Sequence, residues 1–290
     1  MIIPAFNEEV YIRDCLQSLD RIDFPKDQIE IIVVDNGSVD RTIEYASQFN
    51  VNILSILNVK VGDVRNHGAS HASGKFLVFL DSDCVVDPDW LNVAYDRLSQ
   101  DNNLVLGGRY LMRDNPSWLE KYWVLNNSRH QVYLTTLVGG CIFICKEIFD
   151  RLNGFNGKLH SGEDSDLTER LRAAGYRVEI FPKLSVVHLG YPSKIIPFIK
   201  RQLWHSADYI TNFRKSIYDK VFILTLLFIA AFVGFFVGVA MNNQVFMGVA
   251  LIVFLCMPAI LSYKRLSRSK TTYKTLKDIF AYIWLTCFTW

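Results

Sequence analysis

Phe76-Leu77-Val78-Phe79-Leu80-Asp81-Ser82-Asp83 is the stretch that decides the fold. The unbroken apolar run reads as a strand buried on both faces. It stops at paired aspartates, and open α/β sheets bind ligands at the carboxyl ends of their strands. The pattern repeats upstream. Ile31 to Val34 is an apolar core ending at Asp35, Ile2-Ile3 begins a strand that looks clipped at its start, and Val51 to Ile56 forms another. Glu9 to Leu19, Asp40 to Phe49 and Val64 to Ser73 lie between them with helical spacing. The alternation predicts an α/β fold, a mostly parallel sheet with helices on both faces, over residues 1–190.

Composition narrows the class. Of 290 residues, 50% are apolar and 21% charged, below the roughly 25% charged of ordinary soluble domains. That excludes disorder, collagen and a small disulfide scaffold. A net charge of +2 gives no case for a nucleic acid partner. Cys15, Cys84, Cys141, Cys145, Cys256 and Cys287 form no CxxC pair, which predicts reduced, mostly buried thiols in a cytosolic setting. The opening Met1 to Val10 lacks the basic and long apolar regions of a secretory signal.

The apolar weight sits at the far end. Val221 to Met241 and Gln244 to Tyr263 are uncharged runs. Each has about 20 residues, enough at about 1.5 Å per residue to cross about 30 Å of hydrocarbon. Asn242-Asn243 between them predicts a tight helical hairpin. Ala230, Gly234 and Gly238 recur every four residues. They would let the second helix approach near Gly248, or are ordinary glycine use in membrane helices. Arg214, Lys215 and Lys220 precede the hairpin, and Lys264, Arg265, Arg268, Lys270, Lys274 and Lys277 follow it. The positive-inside rule puts both flanks on the cytoplasmic face, which predicts a multi-pass inner-membrane protein. Lys194 to Lys220 reads as one or two amphipathic helices at the membrane surface, with an ordinary packed helix as the alternative. Ile279 to Trp290 is too short to span as a straight helix. The expected divisions are 1–190, 191–220 (interfacial helices), 221–263 (hairpin) and 264–290 (basic loop and apolar end).

Residues at strand ends carry the chemistry. Pro4-Ala5-Phe6-Asn7-Glu8-Glu9 follows the first strand; proline cannot continue a central strand, and Asn7 can cap the next helix. The segment reads as a nucleotide-facing helix start or a plain turn. Asp35-Asn36-Gly37-Ser38 would place a carboxylate on a base or ribose hydroxyl, with Ser38 capping a helix, or is again a turn. Asp81-Ser82-Asp83 favours a divalent cation with a diphosphate over capping, because adjacent buried carboxylates need a partner. Arg65 would neutralise a phosphate, hold a loop aspartate, or lie on the surface. Glu163 and Asp164 open a helix whose apolar stripe is Leu167, Leu171 and Ala174 and whose C-cap is Gly175; there they are catalytic or serve the helix dipole. His188 follows a strand-like Leu184 to Val187 and by its own context reads equally as a structural histidine, and His205 reads as solvated.

Taken together and in this order, these segments resemble the inverting family-2 glycosyltransferases of GT-A fold. The carriers are Ile2-Ile3-Pro4-x-x-Asn7-Glu8, Val33-Val34-Asp35-x-Gly37-Ser38-x-Asp40, Arg65-Asn66-x-Gly68, Asp81-x-Asp83 and Gly162-Glu163-Asp164-x-Asp166-Leu167, with Gly139-Gly140-Cys141 and Gly154-Phe155 on the acceptor side. The resemblance implies that Pro4, Ala5, Asn7 and Glu8 line a nucleotide pocket, Asp35 contacts the base, and Arg65 lies near the nucleotide. Asp81, Ser82 and Asp83 would face ribose and diphosphate. Asp83 would be the chief ligand of Mn²⁺ or Mg²⁺, with Asp81 and His188 completing it. Asp164 would be the general base, beside Glu163 and the acceptor-side Gly139 and Gly140. The family often has two aspartates where this chain has Asp35-Asn36. Processive synthases carry Q-x-x-R-W, of which Lys200-Arg201-Gln202-Leu203-Trp204 keeps only the tryptophan in register, so one sugar per visit is expected.

The implied activity is inverting transfer from a nucleotide-diphosphate-sugar to an acceptor hydroxyl, lipid-linked or on a glycan, at the membrane. Two rivals remain: a catalytically silent membrane subunit that binds a sugar nucleotide, and a nucleotidyltransferase. The second needs a glycine-rich phosphate loop, for which Pro4-Ala5-Phe6-Asn7 is a poor substitute.

Overall fold

The computed structural model describes residues 1–123, 135–211, 217–218 and 220–269. In chain order the elements are β1 (Ile2–Ala5), α1 (Ile12–Asp20), β2 (Ile32–Asp35), α2 (Thr42–Ala46), β3 (Asn52–Ser55), α3 (Val61–His71), β4 (Phe76–Leu80), β5 (Cys84–Val85), α4 (Trp90–Leu98), β6 (Leu104–Gly107) and β7 (Tyr110–Met112). There follow α5 (Trp118–Trp123), β8 (Cys141–Cys145), α6 (Lys146–Arg151), α7 (Glu163–Ala173), β9 (Arg177–Ile180), β10 (Val186–His188), α8 (Ile195–Thr211), α9 (Lys220–Ala240) and α10 (Gln244–Ser269). The chain divides into two compact units, one of Met1–Asn115 with Tyr133–Tyr191, the other of Pro116–Val132 with Pro192–Trp290.

The first unit holds a seven-stranded sheet in the order β3-β2-β1-β4-β8-β6-β9. β1, β2, β3 and β4 run parallel, β8 is antiparallel to β4 and β6, and β9 is parallel to β6. Strand periodicity splits the core in two. Ile3, Val33, Val78, Leu80 and Phe143 pack on one face with Ile12, Leu16 and Leu19 of α1 and Trp90 and Leu98 of α4. Ile2, Val34, Leu77, Phe79, Ile142 and Ile144 pack on the other with Val64 of α3, Ile148 and Phe149 of α6, and Leu167 and Leu171 of α7. The α/β architecture expected from the alternation is therefore present, with one antiparallel strand inserted.

A three-stranded sheet, β5-β10-β7, stands beyond the strand ends. The chain crosses from β4 into β5 through Asp81-Ser82-Asp83, and from β6 into β7 through Gly108-Arg109. Gly108 is required there, since a Cβ would lie 2.0 Å from the Leu184 carbonyl oxygen. His188 pairs with Cys84 on one side and Met112 on the other, which sets it beside Asp83.

Three local expectations are corrected. Pro4 does continue a strand: it pairs with Val34 inside β1. Met1 and Ala5 carbonyls bond toward β2, so by alternation Pro4 faces β4, whose pairing with β1 reaches only Ile2. The missing N–H thus falls where no ladder bond is required. Asn7 caps no helix. α1 starts at Ile12 without a side-chain cap, and Asn7, at φ +57°, instead accepts a bond from the Val39 N–H. Ser38 likewise caps nothing, because α2 starts at Thr42. Its hydroxyl accepts the Asn7 N–H at 2.9 Å, so the two loops are laced to each other. Gly175, by contrast, ends α7 as expected. At φ +85° it forms a Schellman turn in which its own N–H reaches Arg172 and the Tyr176 N–H reaches Leu171.

In the second unit Leu119 and Phe198 form a buried contact flanked by Tyr122 and Ile199. α8 is one continuous helix; Ile196 and Leu203 on it are exposed. Two helices, Phe222–Ala240 and Gln244–Tyr263, are long and apolar enough to cross a membrane. They form the expected hairpin, turned by Asn242 at φ +50° and capped by Asn243, whose side chain accepts the Phe246 N–H. Gly238 is the close approach, a Cβ there falling 2.9 Å from Met247 backbone. Gly248 is not at that contact, since a Cβ on it would meet nothing within 4 Å. α10 also runs on to Ser269, into the expected basic loop. Ile279 to Trp290, Cys287, Arg214, Lys215, Lys270, Lys274, Lys277 and the side chain of His205 lie outside the described residues.

Candidate active site

The site lies in the first unit, where strand ends of the large sheet meet the small one. Arg65 is its buried hub, its side chain 4% exposed. Nη2 donates to Asp81 Oδ1 at 2.7 Å, and Nη1 donates to Glu163 Oε1. Arg65 therefore sits inside the protein between two carboxylates, not on a pocket wall. α3 carries it from one edge of the site and α7 presents Glu163 from the other. The Phe155 ring lies 5.5 Å from the guanidinium. Burial opposes the Arg65 charge, but Asp81 and Glu163 hold its pKa above the ordinary guanidinium value.

Asp81 is fixed at both oxygens. The Tyr110 hydroxyl donates to Oδ2 at 2.7 Å and accepts the Gly140 N–H at 2.8 Å. Burial pushes the Asp81 carboxyl up, yet the Arg65 charge and the Tyr110 hydrogen bond keep it below the usual carboxylate range. Next along the chain, the Gly139 N–H donates to Asp164 Oδ2 at 3.0 Å, while Asp164 Oδ1 accepts the Ser165 N–H. Burial first, then the charge of Glu163, raises the Asp164 carboxyl above its ordinary value. Consecutive glycines thus join the two halves of the site. Neither tolerates a side chain: a Cβ on Gly139 would lie 2.7 Å from Arg65 Nη2, and one on Gly140 would lie 2.3 Å from Asp81 Oδ2.

Asp83 faces His188, with Oδ2 3.4 Å from Nε2. Gly190 closes over it, a Cβ there falling 1.9 Å from the same oxygen. Ligand atoms of Asp81, Asp83 and Cys84 lie within 4.8 Å of one another. A hard divalent cation fits the oxygen donors. Neighbouring ligands of an octahedral ion with bonds of about 2.1 Å stand about 3 Å apart, near the Asp83–His188 separation. Asp83 and His188 suit that role better than Asp81, whose oxygens serve Arg65 and Tyr110. Burial raises the Cys84 thiol well above its usual pKa, so it remains a thiol, donating toward Asp83 Oδ1 at 3.7 Å.

The remaining expected residues gather at the neighbouring strand ends. Pro4 and Ala5 finish β1 beside Val34 and Asp35. Asp35 is buried and holds its own turn, accepting the Gly37 and Ser38 N–H groups at 3.1 Å. The Glu8 N–H donates to Thr42 Oγ1 at 2.7 Å, so this loop leans on α2. Ser82 is buried between the two aspartates.

Sequence reasoning missed Tyr110, Gly190 and the clamp on the 153–155 loop. Asn66 grips the Phe155 backbone at both N–H and C=O, each at 2.8 Å, and Arg170 donates to the Leu152 and Gly154 carbonyls. The one available signal was Gly107-Gly108 before Tyr110, since paired glycines at a strand end mark close backbone approach.

Comparisons with known proteins identify the family and the fold. A family model described as glycosyl transferase family 2 matches residues 1–152, and one described as the N-terminal domain of galactosyltransferase matches 122–192. Glycosyltransferase AglE of Haloferax volcanii is 32% identical over 192 residues, covering 61% of this chain and 62% of that protein. The probable glycosyltransferase YdaM of Bacillus subtilis is 25% identical over 274 residues, 85% of this chain and 65% of that one. The chain therefore spans less than two thirds of the length of these relatives. Among solved structures, the mannosyltransferase PcManGT of Pyrobaculum calidifontis, in complex with GDP-Man and Mn²⁺, superposes with TM-score 0.58 at 20% identity, covering 99% of this chain and 84% of that one. S. aureus TarS 1–349 in complex with UDP-GlcNAc gives 0.54 at 21%, covering 97% and 88%. At these identities the structural likeness establishes the fold, GT-A.

Proposed function

Because the chain belongs to glycosyl transferase family 2, we propose that it moves a sugar from a nucleotide-diphosphate-sugar to an acceptor hydroxyl, inverting the anomeric carbon. One observation carries this: Gly139 and Gly140 tie Asp164 and, through Tyr110, Asp81 to adjacent peptide groups. A raised, half-buried carboxylate is thereby held next to the carboxylates of a diphosphate site. Pro4, Ala5, Asn7, Glu8 and Asp35 stand at the neighbouring strand ends and take the nucleoside, while Ser82 stays inside between the aspartates. The structures solved with GDP-Man and with UDP-GlcNAc belong to the same fold and support a sugar nucleotide as donor substrate.

Asp164 accepts the proton of the attacking hydroxyl. Its raised pKa suits a base, since a stronger base removes the proton at less cost. Attack from the side opposite the diphosphate inverts the centre. Asp83 and His188 would hold Mn²⁺ or Mg²⁺, with Asp81 at its margin; when bound, the cation offsets charge on the departing diphosphate. Arg65 acts inside the site by keeping Asp81 ionised and by fixing both Asp81 and Glu163.

The acceptor proposed is lipid-linked. Two membrane-capable helices and the exposed apolar residues of α8 support a protein seated on a bilayer, with residues 1–190 as the transferase part, 191–220 interfacial and 221–263 spanning. Lys264 and Arg265 after the second span support a cytoplasmic placement.

The test is a screen of UDP- and GDP-sugars with Mn²⁺ and a lipid-linked acceptor, following nucleoside diphosphate release and product anomer. Release with an inverted product supports the reading. Nucleotide binding without release would make the chain a silent subunit, and pyrophosphate release would make it a nucleotidyltransferase.

A further inference from the structure

We propose that Tyr110 is a positioning residue of the active site, holding the carboxylate of Asp81 in register with the acceptor-side backbone and with His188. The proposal rests on the sugar-nucleotide reading above. Three contacts carry it. The hydroxyl uses its one proton on Asp81 Oδ2 at 2.7 Å and accepts the Gly140 N–H at 2.8 Å. The ring stands edge-on to His188, centroids 4.8 Å apart at 76°. Tyr110 therefore touches residues from three separated segments of the chain, the end of β4, the turn before β8 and the end of β10.

The scaffold makes the contact specific. Tyr110 begins β7, which pairs with β10, Tyr110 against Val186 and Met112 against His188. Gly108 lets β7 reach that place by admitting the Leu184 carbonyl. Gly140 lacks a side chain where a Cβ would lie 2.7 Å from the Tyr110 hydroxyl, so the space between Asp81 and the β8 turn is shaped around that oxygen. Asp81 has Arg65 on its other oxygen. Without Tyr110 that single anchor would leave the carboxylate free to rotate about χ2, a broad and weakly restricted torsion. The role is therefore to fix which way Asp81 faces when a diphosphate enters. Tyr110 itself need touch no substrate.

Tyr110→Phe keeps the ring on His188 and removes only the hydroxyl. The full chain in detergent is titrated calorimetrically with UDP and with GDP, each with and without Mn²⁺, and turnover is then measured for whichever nucleotide binds. The expected result is Mn²⁺-dependent binding by the unaltered protein and binding about tenfold weaker by Y110F, the scale of one lost hydrogen bond to a charged group. The donor-substrate KM should rise by a similar factor, with kcat changed less. A variant that merely folded less well would lose active fraction, lowering apparent kcat at unchanged KM. That pattern, or equal binding by both proteins, overturns the positioning role and leaves the sugar-nucleotide reading intact. Failure of the unaltered protein to bind either nucleotide overturns that reading, and this role with it. Tyr110→Leu, which also lacks the oxygen and offers no other donor, should bind no better than Y110F; recovery of normal affinity in it would equally count against the hydroxyl.

Discussion

At the scale of single residues, two carboxylates of the site carry opposite pKa shifts. Asp81 is held ionised by Arg65 and Tyr110 despite burial; Asp164 is raised by burial and then by Glu163. The base proposed for Asp164 is competent only when ionised, so kcat/KM should fall as pH drops through its raised pKa. The acid limb should lie above that of an ordinary aspartate. Replacing Glu163 with Gln removes the second cause but not the first, so the limb should move partway down in pH, which a pH–rate profile reads directly. Asp164→Asn should lower kcat by about 10²–10⁴-fold while Mn²⁺-dependent nucleotide binding persists, the usual scale for loss of general-base catalysis. Arg65 carries the stability term. Arg65→Ala would leave Asp81 and Glu163 as buried charges without their partner, a loss of about 3–5 kcal/mol. A chemical denaturation midpoint close to that of the unaltered protein would show the network to be dispensable.

At the scale of elements, glycines set which segments can meet. Gly190→Ala would drive a methyl into Asp83, 1.9 Å from its carboxylate oxygen, and should abolish Mn²⁺-dependent nucleotide binding. The hairpin makes a paired prediction. Gly238→Val places carbon against Met247 backbone and should lower the detergent melting temperature, whereas Gly248→Val points into open space and should leave it unchanged. Equal effects at the two positions would mean that the helices do not cross at Gly238. Of the spaced small residues, Gly234 and Gly238 face α10, whereas Ala230 is exposed and Ala231 is buried; the facing residues on α10 depend on rotation about the helix axis. Nothing in the run Gln244 to Tyr263 reports that rotation, so the expected approach near Gly248 falls on its neighbour Met247 and not on Gly248 itself.

At the scale of the whole molecule, the acidic loop is one of the places where the chain passes between two sheets. The β4 strand leaves the large sheet at Leu80 and enters the small one at Cys84, so Asp81 and Asp83 lie at the junction. Much of this was written in local pattern. Apolar strands ending at Asp35 and Asp81, helices between them and the two long apolar helices that follow are short-range signals, because burial on both faces of a strand and a helix apolar all round each demand a run of neighbouring residues. The order of the chemistry-bearing segments was legible for the same reason. Partnerships were not. Arg65 could be read as a phosphate ligand, as the holder of a loop aspartate or as a surface residue because a lone arginine does not reveal its depth, and only packing of α3 against the sheet turns it toward Asp81 and Glu163. Asn7 and Ser38 looked like caps because each has the chemistry to cap, while the loops chose to bond each other. Tyr110 gave no signal beyond the glycines before it, since its partners sit 29 and 30 residues away along the chain. By itself the sequence determined which segments are strands, which are long apolar helices and where acids stand at strand ends. The tertiary structure alone decided which acid is paired, which is raised and which hydroxyl joins them, because those properties depend on distances between atoms far apart in the chain and on exclusion of water from the space between them.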